Sequence, residues 1–163
     1  MSTGNIDAFS VFLGMNAKLY INAGDGPTVF GNVKDVTMNF SRSTADVTTR
    51  ANDGWRANVG TLREATASFQ MVRYDGAGDD NDPSIIIDAF LENGSASLIK
   101  AAILDGPADQ GGQGVFGEWS VTSCNRSEAL EDAVTYDVEL SLTKYRGWYP
   151  NDSSDAGDYV PTT

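Results

Sequence analysis

Carboxylates are the side chains of this sequence that are numerous enough to suggest chemistry. The chain has 163 residues, with 23 Asp and Glu, 11 Lys and Arg, and no His. The lack of His excludes Ser-His-Asp triads, imidazole acid–base catalysis and the commonest zinc sites. A pair of carboxylates can hydrolyse a glycosidic bond, but no spacing here distinguishes one pair from another. Because the glycines form no phosphate-binding motif either, the sequence predicts neither an enzyme nor a bound cofactor.

The acidic run from Asp75 to Asp82 (DGAGDDND) is the densest set of possible metal ligands. Its spacing does not fit the EF-hand loop, which places ligands at alternate positions and a Glu at the twelfth. A helix start explains the run better, since Asp82 suits an N-cap and Pro83 suits the first helical position. Apolar residues then fall at helical spacing before a stop at Asn93 and Gly94: Ile85, Ile86, Ala89 and Phe90. We therefore predict one short amphipathic helix and no metal site.

The formal net charge of −12 bears on how the surface would treat nucleic acid. Binding to DNA depends on Lys and Arg that neutralise phosphates, so this composition disfavours it. An acidic surface suits a conduit past which a polyanion slides, and it equally suits plain solubility. The sequence contains no apolar run of the roughly 20 residues that span a bilayer, and its N-terminus lacks the basic segment of a signal peptide. Its one thiol, Cys124, cannot form an internal disulfide, and we expect a cytoplasmically made protein with no membrane association.

Alternation of apolar and polar residues predicts a mainly β protein. Between Val36 and Phe40, the apolar residues Val36, Met38 and Phe40 alternate with polar ones. A longer alternation of the same kind runs from Glu64 to Met71. The cleanest alternation in the chain runs from Val134 to Lys144. Three further strands are predicted at Ala17–Ala23, Ser97–Leu104 and Val115–Cys124. Together with the helix, these segments predict an antiparallel β-sandwich or half-barrel with one flanking α-helix, formed by a single domain over residues 1–163.

Three segments fall outside this pattern. An N-terminal arm is predicted over about residues 1–16, a long loop over about 41–61, and a C-terminal arm over about 146–163. Connections as long as the middle one are usually functional or disordered. Its charged and aromatic residues are candidates for contact with a second subunit: Arg42, Asp46, Arg50, Asp53, Trp55 and Arg56. An exposed Trp flanked by charges is typical of docking surfaces, but Trp55 could equally pack beneath its own loop.

The run VTMNFSRSTADVTTRANDGW, followed by VGTLREATASFQM, resembles the major tail tube proteins of long-tailed bacteriophages. The resemblance extends from about Gly31 to about Tyr145. It implies a structural subunit that assembles into hexameric rings, which stack into a hollow conduit for DNA delivery in the virion tail, after assembly in the host cytoplasm. The implied partners are further copies of the chain, a tape-measure protein and a tail-terminator protein, with DNA passing through without specific binding.

The polar faces of the predicted strands give candidate lumen residues. They carry carboxylates, hydroxyls and amides. By the alternation along each strand, the nearby cations are placed on the apolar face instead: Lys34, Arg63, Arg73 and Lys144. If the sheet is one part of a ring, as the resemblance implies, the polar face lines the lumen. The candidate lumen-facing residues are Asp35, Glu64, Thr66, Ser68, Gln70, Glu118, Asp137 and Glu139.

Three alternatives remain open at the level of sequence. The chain could form the inner tube of a contractile injection or secretion apparatus, which would share the fold but pass protein. A monomeric β-sandwich carbohydrate-binding module would instead stack Trp55, Trp119 or Trp148 on sugar, although Trp119 has apolar-face parity. A hydrolase would have only unassigned carboxylates to work with.

Overall fold

A computed structural model describes residues 14, 17–24, 26–73 and 83–161. Within these ranges the chain forms seven strands and one α-helix: β1 (Lys18–Asn22), β2 (Pro27–Val29), β3 (Val33–Asp46), β4 (Asn58–Val72), α1 (Ser84–Leu91), β5 (Leu98–Leu104), β6 (Gly114–Ser127) and β7 (Thr135–Tyr149). All six predicted strands and the helix are present. The short β2 was not predicted, because three residues are too few to show alternation.

The seven strands form one antiparallel sheet in the order β2-β1-β5-β6-β7-β4-β3. Over the described residues the sheet does not close on itself, so β2 and β3 are its edge strands, each with one side that no described strand pairs. The prediction of a mainly β fold with one flanking helix is confirmed. The predicted N-terminal arm lies outside the described residues except for Gly14, and so does the whole acidic run from Asp75 to Asp82.

The main core lies on the sheet face that α1 covers. The helix begins at Ser84 with Pro83 as its N-cap, one position later than predicted, and it buries Ile86 and Ala89. Opposite the helix, the indole of Trp119 is fully buried and its Nε1 donates a hydrogen bond to the carbonyl of Ala101 at 3.2 Å. The N–H of a buried Trp usually finds such a partner. The apolar-face parity assigned to Trp119 is therefore correct, and this residue cannot stack on a sugar.

A second apolar cluster lies on the other face of the sheet, against β1, β5 and β6. Alternation along Val115–Cys124 predicts Phe116 on the polar face with Glu118, but it is fully buried there and its ring centroid is 5.3 Å from that of Tyr159. A 3-10 helix over Ser153–Asp158 brings Tyr159 and Val160 onto this face. The prediction of a C-terminal arm from about residue 146 is thus wrong in its form, because β7 continues to Tyr149 and the following residues pack against the sheet.

The predicted loop over residues 41–61 is mostly a β-ribbon. Strand β3 continues to Asp46 and β4 begins at Asn58, with Ser41 opposite Glu64 at the inner end of the ribbon. Strand β4 pairs with β7 only from Thr66 onward, so residues 41–64 extend beyond the sheet as two strands and a tip. We call this segment the ribbon. Both of its faces are largely exposed, and without a buried face the sequence has no reason to alternate.

Candidate functional site

Five of the eight candidate lumen residues meet in one shallow depression on the polar face. Strand pairing places Ser68 of β4 opposite Glu139 of β7, and Gln70 opposite Asp137. Asp35 of β3 lies at the rim of the same depression, which has a volume of about 350 Å³. We call it the acidic depression, lined by Asp35, Ser68, Phe69, Gln70, Ser123, Asn125, Asp137, Val138 and Glu139.

Neutral donors hold the two carboxylates of β7 in place. Gln70 Nε2 donates to Asp137 Oδ1 at 2.9 Å, and Ser123 Oγ donates to Glu139 Oε2 at 3.3 Å. Among the described residues no cation forms an ion pair with Asp137 or Glu139. Both side chains are exposed, so they project uncompensated negative charge into solvent.

Asp35 reaches this site through an irregularity in β3. The register between β3 and β4 shifts between Lys34 and Thr37, which leaves one extra residue in β3. Asp35 has φ 55°, the left-handed conformation that Asp tolerates better than most residues. This bulge lets an edge strand present a carboxylate beside those of β7.

Irregular pairing also overturns the predicted separation of charges. Lys34 lies opposite Gln70, and Lys144 lies opposite Glu118, so both cations are on the polar face. Glu118 Oε2 is 3.2 Å from Arg146 Nη2 and 3.9 Å from Lys144 Nζ. The polar face is therefore charge-balanced around Glu118. The carboxylates of Asp137 and Glu139 in the acidic depression have no ion pair among the described residues, and Lys34 lies in the same row as Gln70.

The two remaining candidates, Thr66 and Glu64, lie farther along β4. Thr66 is in one row with Asn39 and Ser141 and continues the polar face beyond the depression. Glu64 lies opposite Ser41 in the ribbon, beyond the last pairing with β7. It does not line the acidic depression.

Ser123 and Asn125 line the depression but were not among the candidates. The register between β6 and β7 shifts between Val121 and Ser123, so Thr122 is an extra residue and the following side chains change faces. A signal was present, because polar Ser123 and Asn125 flank Cys124, which packs against the main core. After Thr122 the alternation of polar and apolar residues continues, but odd-numbered side chains now lie on the polar face.

All six ribbon candidates are exposed: Arg42, Asp46, Arg50, Asp53, Trp55 and Arg56. Trp55 is 79% exposed, so the possibility that it packs beneath its own loop is ruled out. The tip is nevertheless ordered by local hydrogen bonds. The amide of Thr48 donates to Asp46 Oδ1 at 2.9 Å, and the amide of Ala57 donates to Thr48 Oγ1 at 2.9 Å.

Hydrogen bonding at the tip also affects Asp46. The Thr48 hydroxyl and amide both donate to its carboxylate, which lowers the pKa of Asp46 below its ordinary value. The charged form is the one that accepts these bonds, so this part of the tip is best ordered at neutral pH. The ribbon thus exposes Trp55 at a tip whose conformation is held by local hydrogen bonds.

The described residues offer no obvious catalytic or metal centre. They contain no cluster of three or more His, Cys, Asp or Glu side chains placed to hold a metal ion. Over the same part of the chain, none of the helices has the length and apolarity needed to cross a bilayer. What the site offers is charge, hydrogen-bonding surface and an exposed aromatic residue.

Comparison with known proteins gives matches at the level of structure. No family model and no curated protein matches this chain. A chain in the tail of an empty gene transfer agent particle, refined with C6 symmetry, is similar with a TM-score of 0.63 and 17% identity over 83% of this chain and 96% of that chain. A chain of the native gene transfer agent virion gives a TM-score of 0.59 and 18% identity, covering 83% and 98%.

The SPP1 tail tube is also similar, with a TM-score of 0.58 and 15% identity over 83% of this chain and 76% of that chain. At such low identity these likenesses establish a shared fold. The resemblance seen in the amino-acid sequence points to the same class of structures. That resemblance and the likeness of the folds are separate observations. The chain has the fold found in these phage and gene transfer agent tail structures.

Proposed function

We propose that this protein is the structural subunit of a phage-type tail tube, in which hexameric rings stack into a hollow conduit for DNA. The observation that carries the proposal is the shared fold with the SPP1 tail tube and with a tail chain of C6 symmetry, over 83% of this chain. The open sheet supports it, because edge strands β2 and β3 have backbone groups that a neighbouring copy can pair. The protein acts by assembly rather than by turnover, and it resides in the virion tail.

In this tube the acidic depression faces the lumen. Asp35, Asp137 and Glu139 would repeat around each ring and give the wall a negative potential. A polyanion in a narrow bore passes within about 10 Å of the wall, a distance over which charge is not fully screened at 0.1 M salt. The carboxylates would therefore keep DNA from adhering while it moves.

The ribbon reaches an adjacent subunit. It carries four Arg and three acidic residues in a chain of net charge −12, so it differs from the rest of the surface in the sign of its charge. A cationic, aromatic projection is suited to an acidic neighbour. The tube ends would be closed by other proteins, a tail terminator at one end, while a tape-measure protein would fill the lumen before DNA does.

Tube formation is tested directly by electron microscopy of the purified full chain at rising concentration. We expect hollow tubes of uniform width with six-fold end views, and sedimentation that becomes concentration-dependent. A chain that sediments as a monomer at every concentration, and stays so after addition of tube seeds, would show that the proposed function is wrong.

The ribbon contact is tested by replacing Trp55 with Ala. Because Trp55 is exposed in the monomer, the substitution should leave the thermal unfolding midpoint unchanged. Aromatic anchors at the centre of an interface are typically worth about 2 kcal/mol or more, so tube growth should fail at concentrations where the wild type assembles. Leu91→Ala, which alters an exposed residue of α1, is the matched control, and normal assembly of Trp55→Ala would remove Trp55 from the interface.

A further inference from the structure

An apolar groove remains open where the main core face of the sheet runs past helix α1. Strand β7 has two extra residues relative to β6, between Leu142 and Lys144 and between Tyr145 and Gly147. These bulges place Leu142, Tyr145 and Trp148 on the same face at a spacing of three. Phe40 of β3 lies across from them, with its ring centroid 6.5 Å from that of Trp148.

The groove has a volume of about 600 Å³ and an incompletely covered apolar floor. Phe40 is 57% exposed and Tyr145 is 59% exposed. The indole of Trp148 is held in place, because its Nε1 donates to Gln113 Oε1 at 3.3 Å. We call this feature the Trp148 groove. Exposed aromatic side chains gathered around a concavity mark an interaction site more often than isolated exposed ones do.

Two arginines stand at the rim of the Trp148 groove. Arg42 and Arg63 lie directly opposite one another on β3 and β4, and like charges in that position repel. The Arg42 guanidinium donates to the carbonyl of Gly60 at 3.2 Å. Glu64 also lines the groove, and over the described part of the chain neither arginine forms an ion pair. Two guanidinium groups against one carboxylate leave a net positive edge, so an apolar ligand that carries negative charge would fit both the floor and the rim.

The turn between β6 and β7 has this chemistry. At its tip Leu130 has a relative exposure of 101%, so its side chain contacts essentially nothing in its own chain. Three acidic residues surround it, and of these only Glu128 is paired, through a 2.7 Å contact with Arg126 Nε. The other two, Glu131 and Asp132, are exposed. We call residues 128–134 the Leu130 turn.

The turn and the groove lie toward opposite ends of β7. The turn precedes Thr135, whereas the groove uses residues 142–148 of the same strand. At about 3.3 Å per residue the separation is roughly 25 to 40 Å. The two features therefore cannot meet within one molecule, and a contact between them joins two copies head to tail. Such contacts propagate into rings or open filaments.

We propose that the Leu130 turn of one copy docks in the Trp148 groove of the next, with Leu130 on the aromatic floor and Glu131 facing Arg42 and Arg63. This inference rests on the proposed function, in which it would join successive rings of the tube. Each copy uses its turn toward one neighbour and its groove toward the other, so the contact gives the stack a direction.

Two substitutions test the apolar and ionic parts. Leu130→Ser should raise the concentration needed for tube growth by roughly tenfold or more, because burial of a leucine is worth about one factor of ten in an equilibrium constant. Leu91→Ser, at an exposed leucine of α1, should leave it unchanged. Arg63→Glu and Glu131→Arg should each weaken growth, and the two together in one chain should restore it. Wild-type growth of Leu130→Ser and of both charge variants would overturn the proposal.

A crosslink separates failure of this contact from failure of the tube. In a Cys124→Ser background, Leu130→Cys with Tyr145→Cys should give a ladder of disulfide-linked oligomers on mild oxidation, and Leu130→Cys with Leu91→Cys should not. Tubes without a ladder would overturn the contact and leave the tube intact. A ladder without tubes would support the contact and count against the tube, and the absence of both would overturn both.

Discussion

Extra residues in strands β3, β6 and β7 determine which side chains share a face. The bulges at Asp35, Thr122, Thr143 and Arg146 each shift the register by one residue, and each shift moves the following side chains to the other face. One of these positions depends on a glycine. A Cβ on Gly117 would lie 2.4 Å from the carbonyl oxygen of Lys144, so only Gly allows β6 and β7 to approach so closely there.

Gly117→Ala should therefore destabilise the fold. The obstructing atom is backbone, which cannot rotate away, and overpacking of this kind typically costs about 1 to 3 kcal/mol. Gly157→Ala is the matched control, because a Cβ there meets nothing within 4 Å and the backbone is free of positive φ. Denaturant unfolding should show a lower midpoint for the Gly117 variant and little change for the control. Equal midpoints would mean that β6 and β7 can move apart at this bulge without loss of stability.

Cys124 gives a prediction about pH. It is half-buried against the main core, and burial raises the pKa of its thiol. The neutral thiol is the form that the folded state favours. Its contribution to stability is thus complete below the unfolded-state pKa and is lost as pH rises through the folded-state pKa.

Alkylation by iodoacetamide should accordingly be slow at pH 8 in the folded protein, since the thiolate is the nucleophile. A Cys124→Ser, Ser127→Cys variant provides an exposed thiol on the same strand and should react faster. Equal rates at pH 8, with equal dependence on pH, would mean that Cys124 is not protected by burial.

At the scale of elements, the sequence predicted the strands and the helix that have at least one buried face and missed those that have none. Helix α1 and strands β4 and β7 show clear periods because each has one buried side, whereas β1 is buried on both faces through Leu19, Tyr20 and Ile21. The ribbon has no buried side, so its strands were read as a loop from Ser41 to Thr61. The residues after Tyr149 lack a period for a different reason: a 3-10 helix over Ser153–Asp158 buries only single residues such as Ala156, and isolated burial leaves no pattern.

The C-terminal segment should matter for stability although it resembles a tail in sequence. Tyr159 is 5% exposed and packs against Phe116. Truncation of buried aromatic residues to Ala typically costs about 3 kcal/mol or more, so Tyr159→Ala should lower the thermal unfolding midpoint by several degrees. Asp155→Ala, in the exposed part of the same segment, should have little effect. An unchanged midpoint for Tyr159→Ala would mean that the segment does not contribute to the fold in solution.

At the scale of the whole molecule, charge is arranged in regions. The ribbon is rich in Arg, the face near Glu118 is balanced by Lys144 and Arg146, and Asp137 and Glu139 carry no cation partner within the described residues. Composition predicted an acidic protein but not this division, because parity counted along each strand placed Lys34 and Lys144 on the wrong face. Only the register between strands shows where the negative charge is uncompensated.

The lumen assignment predicts how altered tubes treat DNA. Replacing Asp137 and Glu139 with Lys should leave the fold intact, since both side chains are exposed. It should make tubes retain DNA at about 50 mM salt and release it at about 200 mM, because bound Lys displaces counterions from phosphates. Asp88→Lys with Glu92→Lys makes the same change of charge at exposed positions at the end of α1. Retention that is equal in the two variants would place Asp137 and Glu139 outside the bore, whereas retention in neither would leave them without a role in keeping DNA free.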